Sequence, residues 1–117
     1  MTNKNNPHSN SNSKYCLILT TCNNKKTKQN IINKLLTESK LSACIQTKEI
    51  ESHYLWNNQI QNDKEYLITI KTTKNLYNKI EQKIKEVHDY EIPQIIMVAI
   101  EDGNKQYLDW IDQQIKI

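Results

Sequence analysis

The sequence predicts one small, soluble α+β domain, made of two strand–helix–strand halves and reaching from about residue 14 to residue 117. Three observations predict it. Apolar residues recur with helical spacing in two separate stretches, at Ile31, Ile32, Leu35, Leu36 and at Leu76, Tyr77, Ile80, Ile84, Val87. Between them the pattern switches to period two, as in Ile50, Ser52, Tyr54, Trp56 and again in Tyr66, Ile68, Ile70. Short apolar runs at Tyr15–Leu19 and Ile95–Ile100 bound the whole.

Each element follows from local chemistry. Residues Met1 to Ser13 hold Asn, Ser, Lys, Pro and His with nothing to bury, which predicts a disordered tail whose His8 is solvated. The first strand covers Tyr15 to Leu19 and ends in a loop at Thr21–Asn24. Asn23 or Asn24 is placed to cap a first helix from about Lys25 to Ser39. Two long strands then join near Asn57-Asn58, because asparagine tolerates the positive φ of a tight hairpin turn. Thr72 and Thr73 are placed to cap the second helix, Pro93 opens a strand reaching Ile100, and a short last helix carries Tyr107, Leu108, Ile111 and Ile115.

The resulting order, β-α-β-β-α-β plus a C-terminal helix, is that of a ferredoxin-like sandwich. Right-handed crossovers place both main helices on one face of a four-stranded antiparallel sheet. Ala43 to Trp56 extends about 45 Å as a strand, more than so small a sheet needs, so its end is expected to pair outside the subunit.

Composition narrows the function. Apolar residues form 37% of the chain and charged residues 25%, enough for a folded core. All sixteen cationic side chains are lysine, and the net charge of +3 is spread along the chain. No basic stripe tracks a phosphate backbone, so nucleic acid is not an expected partner. No apolar run approaches the roughly 20 residues that cross a bilayer, so no membrane partner is expected either. Three cysteines and the lack of a secretory pattern point to a reduced, cytoplasmic setting.

The residues carry little overt chemistry. A single glycine, Gly103, excludes a Gly-rich phosphate loop, and no nucleophile motif occurs, so an enzyme is not expected. The cysteines and histidines lack metal-ligand spacing. Cys16 reads as a packed strand thiol, Cys22 as an exposed and oxidisable loop thiol, and Cys44 as a strand residue that either packs or reacts. His53 reads as a half-exposed strand histidine. His88, at the end of the second helix, either answers the helix dipole or serves as a ligand.

Taken in order, Leu17 to Thr21, Lys40-Leu41-Ser42-Ala43-Cys44, Tyr54-Leu55-Trp56, Glu65-Tyr66, Ile70-Lys71-Thr72-Thr73, His88-Asp89-Tyr90-Glu91-Ile92-Pro93-Gln94-Ile95 and Tyr107-Leu108-Asp109-Trp110 resemble the CutA divalent-cation-tolerance family. The resemblance covers essentially everything after Ser13. It implies a tight homotrimer whose long hairpin strands pair between neighbours, tolerance to copper and other divalent ions, and no agreed reaction. The ion, copper or another divalent cation, is not needed for folding.

It also implies a cleft between subunits lined by Cys44, Trp56, Lys71, His88 and Tyr90, with His88, Cys44 and Cys22 as candidate metal ligands. Trp56 and Tyr90 read equally as interface packing, and Lys71 as a partner of a carboxylate such as Glu65. A copper ligand set attributed to some bacterial relatives falls here on Thr20, Val87 and Gln94, and is not carried over. The competing reading is a PII-like small-ligand sensor or partner-binding scaffold, which would need Lys71 for an anionic metabolite.

Overall fold

The computed structural model describes residues 13–115. The expected tail, His8 included, lies almost wholly outside these residues. Strand β1 (Tyr15–Cys22) leads into helix α1 (Lys25–Ile32), which continues as a wider π-turn segment (Asn33–Glu38). The hairpin strands β2 (Cys44–Trp56) and β3 (Gln59–Thr73) follow, then a 3-10 turn (Lys74–Leu76) running into α2 (Tyr77–Val87), strand β4 (Ile95–Ala99) and helix α3 (Lys105–Gln114). The sheet order is β2-β3-β1-β4, and every pairing is antiparallel. This is the expected ferredoxin-like α+β arrangement.

Local details depart from expectation in instructive ways. β1 runs three residues beyond Leu19, because β3 continues opposite it: Thr20 faces Ile68, Thr21 faces Leu67 and Cys22 faces Tyr66. Cys22 is therefore not an exposed loop thiol but a buried strand end, its Sγ set 3.6 Å from the Asn24 carbonyl oxygen. The α1 cap is Asn24, whose Oδ1 accepts the Thr27 N–H at 2.8 Å. The predicted single helix to Ser39 changes winding after Ile32, with the Ser39 N–H bonding the Lys34 carbonyl and the Leu35 carbonyl taking both Leu41 and Ser42 N–H groups.

Asn57 and Asn58 both take positive φ, 51° and 62°, as a tight hairpin turn demands. Thr73 precedes the second helical segment without capping it, since its hydroxyl is spent on Asn75 Oδ1 at 2.6 Å. Asn104 caps α3 by accepting the Tyr107 N–H at 3.1 Å, and Ile115 falls just past that helix's end.

Strand alternation sorts the sheet into two faces. On one, Cys16, Ile18, Ile68 and Ile70 meet Ile31, Leu35, Ile80 and Ile84 of the helices in the buried core. On the other, Leu17 and Leu19 of β1 lie opposite Lys71 and Thr69 of β3 and opposite Val98 and Ile96 of β4. Helix α3 covers one end of this second face, where Tyr15 donates to Asp112 Oδ2 at 2.6 Å and Lys71 reaches Tyr107. Past the helices the hairpin continues to a tip where Leu55, Trp56 and Ile60 are 70%, 63% and 75% exposed.

Candidate functional site

The segment after α2 builds a hydrogen-bonded polar cluster. His88 ends that helix, its N–H still bonded to the Ile84 carbonyl, and the chain then turns back over the end of β1. Its imidazole Nε2 lies 2.7 Å from the Thr21 carbonyl oxygen, and Nδ1 accepts the Tyr90 N–H at 3.0 Å. The ring packs on Tyr90 with centroids 4.6 Å apart. Tyr90 in turn donates its hydroxyl to Glu65 Oε2 at 2.8 Å, while Ser52 donates to Glu65 Oε1 at 2.6 Å. Burial is the main cause that holds the Tyr90 phenol above its ordinary pKa, and Glu65 adds to it.

Around this cluster runs a groove of about 600 Å³ lined by Asn23, Ser52, His53, Tyr54, Asp63, Glu65, Tyr90 and Gln94. Ser52 and Asp63 are cross-strand partners, and Tyr54 donates to Asp63 at 2.5 Å. The lining is thus polar and acidic. A second hollow of about 400 Å³ shares Asn23 and Glu65 and adds Glu49, Ile50, Glu51, Lys64 and Tyr66. Asn24 ties the region to α1 by donating to Asp89 Oδ2 at 3.0 Å.

The other sequence candidates lie elsewhere in the subunit. Cys44 is half-buried opposite Lys71, whereas Cys22 is opposite Tyr66. Five residues of strand, about 16 Å, separate those two positions along β3. Trp56 is at the hairpin tip, opposite Gln59. Lys71 does not pair with Glu65, which is six residues away along the same strand. It donates instead to the Tyr107 hydroxyl at 3.0 Å, and its Nζ stands 5.1 Å from the centre of that ring.

His88, Cys22 and Cys44 therefore do not converge within one chain, and no three His, Cys, Asp or Glu side chains among the described residues do so. Burial pushes the Cys22 thiol pKa up, away from the thiolate a metal needs. Thr20, Val87 and Gln94 are no substitute: the Thr20 hydroxyl is buried in the helix-side core without a partner, Val87 packs on that core, and Gln94 is an exposed amide. A preformed copper centre does not fit these residues. Sequence reasoning named Tyr90 but treated Glu65 only as a partner for Lys71, and it missed Ser52 and Asp63. The cross-strand register is the signal that would have joined them.

A four-stranded antiparallel sheet with two helices on one face, a long hairpin and an acidic groove beside a His-x-Tyr turn defines a ferredoxin-like α+β subunit. The family model described as CutA1 divalent ion tolerance protein matches residues 16–114, and the chain belongs to that family. It is 32% identical over 100 residues to the divalent-cation tolerance protein CutA of Pyrococcus horikoshii, covering 86% of this chain and 97% of that one. It is 36% identical over 81 residues to the Thermus thermophilus protein of the same name, covering 68% and 79%.

Among solved structures, CutA1 of Ehrlichia chaffeensis superposes with a TM-score of 0.82 at 31% identity, covering 91% of this chain and 99% of that one. The periplasmic divalent cation tolerance protein CutA of Archaeoglobus fulgidus gives 0.81 at 30%, covering 87% and 99%. These descriptions name a tolerance and not a reaction. Among the described residues no helix is long and apolar enough to cross a membrane.

Proposed function

We propose that this chain acts as a cytoplasmic homotrimer in tolerance to divalent metal ions such as copper, holding the ion weakly in or beside the cleft between subunits. The assembly rests on one observation above all, the sheet face opposite α1 and α2. Leu17, Leu19 and Leu67 are only half-buried there, and Ile96 and Val98 remain 47% and 43% exposed. A contiguous apolar sheet face of this kind, continued by an unpaired hairpin with an exposed tryptophan, is what copies of one chain cover in one another.

The metal part of the proposal rests on the family descriptions and on the acidic lining of the groove. Asp63 and Glu65 attract cations and repel an anionic metabolite, which favours this reading over a nucleotide-type sensor. Copper outcompetes other first-row divalent ions at most nitrogen and oxygen sites, so weak binding needs no built cage. The free thiols of Cys16, Cys22 and Cys44 accord with a reducing compartment.

Light scattering at micromolar concentration tests the assembly, with three subunit masses expected and one mass overturning it. Calorimetric titration with Cu(II) tests the metal. Saturable but weak heat is expected, and a trimer that takes up no Cu(II) overturns the metal reading while leaving the assembly intact.

A further inference from the structure

The hydrogen bonds of His88 bear directly on where a divalent ion contacts this chain. A backbone N–H only donates, so Nδ1 must accept from Tyr90; a carbonyl only accepts, so Nε2 must carry the proton it shows to Thr21. The ring is thereby fixed as the neutral Nε2–H tautomer, with its one lone pair already engaged. Its side chain is 1% exposed, and the nearest charged oxygen, Asp89 Oδ1, stands 3.6 Å from Nδ1. A metal ion needs a deprotonated, accessible ring nitrogen. To offer one, His88 would have to give up the Tyr90 amide or the Thr21 carbonyl and swing out of a closed site.

His53 presents the opposite case. It lies on β2 with its side chain 57% exposed, on the sheet face opposite the one that carries Asp63 and Glu65, since Ser52 and not His53 is the cross-strand partner of Asp63. Among the described residues no hydrogen bond ties either of its nitrogens. Glu51, two residues back on the same side of the strand, places Oε1 3.8 Å from His53 Nε2. An imidazole and a carboxylate on one strand face form a two-donor contact suited to Cu(II), open to water on the remaining positions and weak for that reason.

We propose that the divalent ion contacts His53 with Glu51, and that His88 is a positioning residue whose imidazole braces Tyr90 against Glu65. The first half rests on the weak metal binding proposed above and specifies its donors. The bracing role stands on the hydrogen bonds alone.

The test is a long-range 1H–15N spectrum of the full chain labelled at histidine, with the His8, His53 and His88 signals assigned by single substitutions to Gln. Before any metal, His88 is expected to show the Nε2–H pattern; the Nδ1–H pattern, or fast averaging of the two, overturns the brace. On stepwise addition of Cu(II), the His53 signals are expected to broaden away first while those of His88 persist, and Glu51→Gln is expected to raise the copper needed. Loss of the His88 signals together with or before those of His53 overturns the assignment. Copper uptake that leaves His53 untouched overturns it too while sparing the weak-binding reading, and no uptake at all overturns both. Because the decisive spectra are taken on the unsubstituted protein, an unfolded His88→Gln would not weaken the test.

Discussion

Tyr90 and Glu65 stand 2.8 Å apart, phenol to carboxylate, although the first belongs to the turn after α2 and the second to the middle of β3. Both residues line the polar groove. Tyr90→Phe keeps the ring that packs on His88 but removes the donor, and should cost about 1.5–3 kcal/mol of stability in urea unfolding, the ordinary worth of a bond to a charged acceptor. Spectrophotometric titration of the parent should show Tyr90 among the tyrosines that ionise late, with Tyr15 and Tyr77, and the variant should have one fewer of them.

The C-terminal helix is held by a titratable clamp. Asp112 accepts from Tyr15 and lies 3.1 Å from Lys14, and these contacts, the Tyr15 bond first, lower its pKa. A carboxyl held below its unfolded value contributes stability that is complete above the unfolded pKa near 4 and fades as pH falls through the folded one. Tyr15, pushed up to about 12 chiefly by the same bond, contributes stability below pH 10 that fades as pH climbs toward 12. Asp112→Asn should flatten both limbs of a melting-temperature profile, and an unchanged profile would show that the clamp does not couple to folding.

The apolar sheet face gives an assembly prediction. Leu19 lies between Thr69 and Ile96 on that face, so Leu19→Lys places a charge inside the proposed trimer while leaving the helix-side core untouched. Sedimentation should then report smaller species with the circular dichroism of a folded subunit.

The hairpin turn predicts an asymmetric pair. With φ of 62° at position 58, Asn58→Gly should be neutral or slightly stabilising, whereas Asn58→Val should cost about 1–2 kcal/mol because a branched side chain resists the left-handed region.

Thr20 offers a stabilising change. Its hydroxyl is fully buried without a hydrogen-bond partner, so Thr20→Val, nearly the same shape, should raise stability by about 1 kcal/mol or more in denaturant melts. A loss instead would mean that an ordered water serves that oxygen.

The sequence by itself determined the elements, because their periods are properties of neighbouring residues: Ile80 and Ile84 had to share a helix face, Tyr66, Ile68 and Ile70 a strand face, and Asn57-Asn58 a tight turn. Seven short motifs in order, from Leu17–Thr21 to Tyr107-Leu108-Asp109-Trp110, carried the family resemblance, and the family model matches residues 16–114. What only the tertiary structure decided was anything set by partners far apart in the chain. Cys22 passed for a loop thiol until β3 was seen to extend β1 across it, and Lys71 took Tyr107, thirty-six residues away, over Glu65 on its own strand. His88 had two local readings, dipole and ligand, and neither foresaw a ring used at both nitrogens by Thr21 and Tyr90. Spacing along a chain reports which residue types are available; the directions of their lone pairs and protons are set only when distant backbone groups close around them.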